Sequence, residues 1–303
     1  MTLGCISNFL TKGWVKIGLP QWVIFQLPFP GIYEIDKKVG KACPIVEGKV
    51  SCAQGLGVVT GPDCDTLYLT DLFTYRKVDG LTGKITTISR MHSATPPHIH
   101  YPFTFSVDEQ SVMLTSWFTG TVQEIDRLKN KTKKTLTGFK APSHAVKMDD
   151  GSLLVAEIST GNLIKVTDNG QTIVAKGFAA PTYIAIGRNK VAYVTEYATG
   201  KVVRVDLETG RKKTIAQLDR PEGMAISGNG KLVVVETDTR QVVEIDPFTG
   251  TVRPLVINLW VFLPILETLH PFYCRSNHIQ DRCYICLRRS RKCDLQHPTQ
   301  IGE

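Results

Sequence analysis

Between Cys64 and Cys274 the chain has no cysteine. The eight cysteines fall into two groups, Cys5, Cys43, Cys52 and Cys64 near the start and Cys274, Cys283, Cys286 and Cys293 near the end. No disulfide framework therefore holds the middle, which must rely on an apolar core. A long apolar run is also missing. The longest stretches, Trp22–Phe29 and Val256–Leu266, are interrupted by Pro28 and Pro264, well short of the roughly 20 residues of a spanning helix, so no transmembrane segment is expected. Met1–Leu10 lacks the basic start of a secretory leader, no small-residue cleavage site follows, and the sequence assigns no compartment. Nor is there a basic stripe interleaved with aromatics. The net charge of +8 is scattered, with one local cluster at Arg288–Lys292, so nucleic acid is not an expected partner. What remains is a composition of 42% apolar and 21% charged residues, enough to bury a globular core.

What the chain does have is a repeat. Six short strands end in an acidic or polar turn: Tyr33-Glu34-Ile35-Asp36, Arg76-Lys77-Val78-Asp79, Gln123-Glu124-Ile125-Asp126, Ile164-Lys165-Val166-Thr167, Val203-Arg204-Val205-Asp206 and Val243-Glu244-Ile245-Asp246. From Asp79 onward these turns recur about every 40 residues, most followed by Thr-Gly or Asn-Gly, as in Thr82-Gly83, Asn169-Gly170, Thr209-Gly210 and Thr249-Gly250. An Asp side chain can accept from the backbone two residues on, and Gly supplies the positive φ that closes a hairpin. A second pattern opens each unit: Pro142-Ser143-His144, Pro181-Thr182-Tyr183 and Pro221-Glu222-Gly223. Each leads through a short turn to an apolar strand, Leu153–Glu157, Ala192–Glu196 or Val233–Glu236, with more degenerate copies at Leu67–Asp71 and Met113–Trp117. Four short strands per unit, rich in Val, Ile and Tyr, predict an all-β architecture in which one repeat is one blade of a propeller.

From about residue 51 to 256 this pattern resembles the NHL-repeat and gluconolactonase/strictosidine-synthase-like six-bladed β-propellers, with the best copies between 141 and 256. The resemblance implies a six-bladed ring whose innermost strands line a channel, with the residues that open them at one mouth. Those are Gln54, Phe103, Ser143, Thr182 and Glu222, beside His144 and Tyr183. It also implies a divalent cation such as calcium at the mouth, for which Glu222 is the surviving carboxylate, while Ser143 and Thr182 stand where stronger ligands belong. A strictosidine-synthase-like role would need a glutamate to take a proton, for which the resemblance leaves Glu222, and His144 is the other candidate for proton transfer. The Pro-rich insertion Arg90–His100 adds His98 and His100, which are expected to meet His144 as a metal or acid/base cluster unless the insertion is a plain polar loop. Asp71, Glu157, Glu196 and Glu236 recur at blade spacing and are expected to be structural.

Nothing before Phe29 reads as the inner half of a first blade, so that blade is expected to be incomplete, within a repeat domain at 25–256 flanked by atypical segments at 1–24 and 257–303. The loss of repeat signal at both ends is read as ends unlike those of an intact family member, the alternative being a functional appendage. In the last segment, Cys283-Tyr284-Ile285-Cys286 is half of a zinc signature. Two functions fit these residues. One is a non-enzymatic or vestigial scaffold that recognises a small molecule or protein at the channel mouth; the other is a metal-dependent hydrolase or lactonase.

Overall fold

The computed structural model describes residues 22–27, 31–36, 41–47, 49–50, 53–61, 64–71 and 73–257, which include 23 strands in six antiparallel sheets. The first sheet holds β1 (Trp22–Leu27), β2 (Gly31–Asp36) and β3 (Lys41–Glu47). The second holds β4 (Ala53–Val59), β5 (Thr66–Asp71), β6 (Thr74–Asp79) and β7 (Ile85–Arg90). The third holds β8 (Thr104–Val107), β9 (Ser111–Ser116), β10 (Thr121–Asp126) and β11 (Lys131–Leu136). The fourth is β12 (Pro142–Lys147), β13 (Leu153–Glu157), β14 (Asn162–Thr167) and β15 (Gly170–Ala175). The fifth is β16 (Pro181–Ile186), β17 (Val191–Glu196), β18 (Lys201–Asp206) and β19 (Lys212–Gln217). The sixth is β20 (Pro221–Ile226), β21 (Leu232–Glu236), β22 (Gln241–Ile245) and β23 (Val252–Val256). Among the described residues no helix is long and apolar enough to cross a membrane.

Each sheet is a meander, and in the second, third, fifth and sixth the last hairpin is closed by the Asp turn chemistry seen in the sequence. Asp79 Oδ1 accepts from the backbone N–H of Leu81 at 3.0 Å and Thr82 at 2.7 Å, and Asp206 Oδ1 accepts from Glu208 and Thr209, both at 2.9 Å. Asp126 and Asp246 repeat the arrangement. These backbone donors hold all four carboxyls below the usual range.

The core lies between sheets rather than within them. Apolar clusters join the second sheet to the third, the third to the fourth, the fourth to the fifth and the fifth to the sixth. A further cluster gathers Ile32 and Val46 of the first sheet, Leu56, Leu67, Leu69 and Val78 of the second, and Val233, Val235, Val242 and Leu255 of the sixth. A blade with two apolar faces is stable only between neighbours, and these clusters supply the neighbours all the way round. Packing at the centre is close: a Cβ on Gly57 of β4 would collide with the Val107 side chain and meet the Phe105 ring of β8.

The incomplete first blade is observed, and it is more complete than the repeat pattern implied. β1 pairs with β2 from Trp22↔Asp36 to Leu27↔Gly31, so among the described residues the first sheet lacks one strand, the innermost, rather than two. The strand was not legible because its segment ends in Pro28-Phe29-Pro30 instead of the acidic end of the other second strands.

Candidate functional site

Register places the site. In the sixth sheet Pro221 of β20 pairs with Glu236 at the end of β21, which pairs with Gln241 at the start of β22. In the fifth, Gln217 at the end of β19 pairs with Lys201 at the start of β18. The openings of the innermost strands, the turns between second and third strands, and the loops between blades therefore share one end, the mouth. The pairing of four innermost strands shifts near their first residues, between Ala53 and Gly55, Pro142 and His144, Pro181 and Tyr183, and Pro221 and Met224, whereas β8 pairs with β9 without a shift. Gln54, Ser143, Thr182 and Glu222 are the bulged residues, and a bulge re-aims a side chain out of the regular alternation. The side chain of Gln54 lies outside the described residues.

Two of these side chains are aimed at the next blade. Ser143 Oγ, buried, lies 2.6 Å from the carbonyl of Pro181 and 3.2 Å from that of Ala156. Thr182 Oγ1 lies 3.4 Å from the carbonyl of Pro221 and 3.0 Å from Thr195 Oγ1, which donates to the Glu222 carbonyl at 2.9 Å. Thr104 does the same one blade earlier, donating to the Ser143 carbonyl, and Ser106 donates to the Ala145 carbonyl at 2.6 Å. A hydroxyl of one innermost strand thus satisfies a carbonyl of the next, which accounts for their recurrence.

Among the described residues Glu222 makes no such bond. It is 9% exposed, and burial pushes its carboxyl well above the usual range; Arg220 opposes the shift and Asp238 adds to it. Arg220 is committed to Asp238 at 3.2 Å and lies 5.7 Å from the Tyr197 ring centre. Burial also raises the Tyr197 phenol.

His144 has no exposed surface and stacks on Tyr183 with ring centres 3.8 Å apart. The Ile184 N–H points at its Nδ1 from 3.3 Å, which leaves the proton on Nε2. Burial drives its pKa down to about 3; the Phe105 backbone opposes that shift but gives Nε2 no hydrogen bond of good geometry. Burial likewise pushes the Tyr183 phenol up.

Of the two readings of the insertion, the exposed polar loop describes it and the histidine cluster with His144 is not formed. His98 and His100 are exposed, His98 Nδ1 lies 3.0 Å from the Ser93 carbonyl, and His100 is tied by its backbone N–H to Gln123 Oε1 at 2.8 Å, whereas His144 is sealed between blades. Among the described residues no three His, Cys, Asp or Glu side chains form a group able to hold a metal. Calcium wants about six to eight oxygen ligands. The described residues do not fit it, since Glu222 is the single carboxylate at the strand openings and its burial favours the neutral form. The recurrent acids are structural. Glu157 Oε1 accepts from the Lys140 N–H at 2.6 Å and Glu236 Oε1 from the Asp219 N–H at 2.8 Å. Glu196 accepts from Thr199, and Asp71 pairs with Arg76 at 2.9 Å. The cysteine pair near the C-terminus lies outside the described residues.

The mouth also carries a group of aromatic side chains, of which the sequence reading singled out Phe103 and passed over Trp117, Phe118, Tyr101 and Phe73. Phe103 stacks on Trp117 at 4.6 Å and 19°, Trp117 meets Phe118 edge-on at 5.2 Å, and Phe118 lies 6.4 Å from Tyr101. Tyr101 in turn makes edge contacts with Phe73 at 5.6 Å and His92 at 6.0 Å. The signal available was the aromatic content of the insertion and of the turn at 116–120.

No family model matches the chain, and no curated protein matches it in sequence. Solved structures do match. A chain of the crystal structure of a nidogen/laminin complex superposes with a TM-score of 0.63 at 15% identity, covering 75% of this chain and 89% of that one. A catalytically inactive virginiamycin B lyase from Staphylococcus aureus with quinupristin gives 0.52 at 17%, covering 68% and 70%. The selenomethionine form of virginiamycin B lyase from the same organism gives 0.54 at 15%, covering 78% and 81%. With the six-sheet ring described above, these likenesses identify the fold as a β-propeller.

Proposed function

We propose that this chain is a non-enzymatic binding propeller of the NHL-repeat and gluconolactonase-like kind that recognises a protein at its mouth. One observation carries the reading: the strand-opening hydroxyls that would bind a small substrate are spent on holding blades together, Ser143 to the Pro181 carbonyl at 2.6 Å and Thr182 to that of Pro221 at 3.4 Å. His144 is likewise closed to solvent. The likeness to a chain from a nidogen/laminin complex supports a protein partner, as an analogy of fold. The second reading, a metal-dependent hydrolase or lactonase, rests on Glu222, whose carboxyl, pushed well above the usual range by burial, resembles a poised general acid. The two separate in one experiment on the full chain, which measures tightly bound divalent metal by mass spectrometry and lactone hydrolysis for the natural protein and Glu222→Ala. The scaffold reading expects metal below one equivalent and hydrolysis no faster than buffer. Stoichiometric metal together with hydrolysis that Glu222→Ala abolishes would overturn it.

A further inference from the structure

Resting on the scaffold reading, we infer that the six aromatic side chains at the mouth of the second and third blades form a docking surface for an acidic segment of a partner protein. The rings of His92, Phe73, Tyr101, Phe118, Trp117 and Phe103 make a continuous chain of contacts. Three of them face solvent, Phe118 at 70% exposure, Tyr101 at 38% and His92, while Phe73, Phe103 and Trp117 are half-buried. Partly exposed rings in contact with one another are the composition of interface anchors.

The backbone beneath them is left-handed at three positions, two of which recur in other blades: Tyr101 precedes its Pro as Ala141, Ala180 and Arg220 do, and Phe73 stands where the sixth blade has Arg240. Phe73, His92 and Tyr101 have φ of 63°, 60° and 38°, a region that bulky L residues rarely adopt. The third, fourth and fifth blades have Gly120, Gly161 and Gly200 near the end of the turn between their second and third strands, where the second blade has Phe73. Conformations of this kind persist where the surrounding structure fixes them. Here the Met91 N–H donates to the Phe73 carbonyl at 2.9 Å and the Phe103 N–H to the Thr115 carbonyl at 2.7 Å, pinning both ends of the insertion.

Charge selects the partner. The loop from Met91 to Phe103 and the turn from Ser116 to Gly120 contain no Asp or Glu. Arg90 and Lys140 stand at their borders, exposed and in no ion pair among the described residues. The nearby acids are removed from solvent: Asp71 is buried on Arg76, and Glu157 accepts from the Lys140 N–H and Thr160. An apolar strip with uncompensated positive flanks complements a peptide that alternates acidic and large apolar side chains, whereas a basic or purely polar segment gains nothing from it.

The test uses the full chain immobilised against a random dodecapeptide library displayed on phage, with deep sequencing of the bound pool. Natural protein is expected to enrich peptides that combine Asp or Glu with Phe, Leu or Trp. A synthetic peptide of the enriched sequence should bind at least tenfold more weakly to Phe118→Ser and to Arg90→Glu/Lys140→Glu, both of which change exposed positions and should retain the natural melting temperature. Replacing its acids by Gln should weaken it by a similar factor. No enrichment, enrichment of basic or proline-rich sequences, or peptides indifferent to Phe118→Ser would each overturn the assignment of this surface. Peptides that bind but ignore Phe118→Ser leave the scaffold reading standing; metal-dependent hydrolysis would remove that reading whatever the peptides do.

Discussion

His144 shows how one residue couples burial to pH. Its ring sits between blades, stacked on Tyr183, with its Nε2 proton unsatisfied. Protonation would place an unpaired charge there, so the folded state resists it down to about pH 3, while the unfolded chain takes the proton near the ordinary histidine value of 6.5. Within that window the unfolded state holds more protons. By linkage, stability therefore rises with pH across it and is lost as pH falls from the upper limit toward the lower. At pH 5 the loss from this residue is about 2 kcal/mol. Scanning calorimetry of His144→Phe should show a melting temperature less dependent on pH between about pH 4 and 7 than that of the natural chain. An identical slope would mean that other groups set the acid sensitivity. The burial of His144 was not legible in the sequence, because the bulge at Ser143 breaks the alternation from which faces are read. Glu222 was legible as a distinctive acid, but its protonation state depends on Arg220, Asp238 and burial, which only the fold brings together.

At the scale of the element, turn and bulge chemistry explain most of the architecture. The Asp that ends a third strand was readable as a turn because its partners are two and three residues away, as Asp206 with Glu208 and Thr209 shows. Glycines at the mouth turns depend on a neighbour more distant in sequence. Gly161, at φ +66°, lies against the carbonyl of Phe178, where a Cβ would collide. Gly161→Ala should therefore be destabilising by roughly 1–2 kcal/mol from the left-handed conformation alone, with the steric contact adding to it. Chemical denaturation should show a lower midpoint with an unchanged slope; a midpoint equal to that of the natural chain would show that the turn relaxes without loss. The strand β1 lay beyond the reach of the repeat pattern because no acidic end marks it, and only its pairing with β2 identifies it. The bulged positions were identified from Pro-x spacing as places of importance. That Ser143 and Thr182 reach across to the next blade could not be read from spacing, since their partners lie 38 and 39 residues on.

In the whole molecule, the ring is held at two radii. Apolar clusters fill the wedges between sheets, including the one that gathers the first, second and sixth. At the channel, hydroxyl-to-carbonyl bonds run from Thr104 to Ser143, from Ser143 to Pro181 and from Thr182 to Pro221. The propeller fold was legible because period and turn residues repeat; the division of labour at the mouth was not, because it depends on which blade each side chain faces. The central claim, that the strand-opening hydroxyls of Ser143 and Thr182 serve cohesion between blades rather than substrate chemistry, is tested most directly by thermal unfolding of Ser143→Ala in the full chain. Removing this buried hydroxyl takes the hydrogen bond from the Pro181 carbonyl. The expected destabilisation is about 1–2 kcal/mol, a fall in melting temperature of about 2–4 °C for each kcal/mol at this size. A melting temperature equal to that of the natural protein would contradict the account and return Ser143 to the pool of ligand-binding residues.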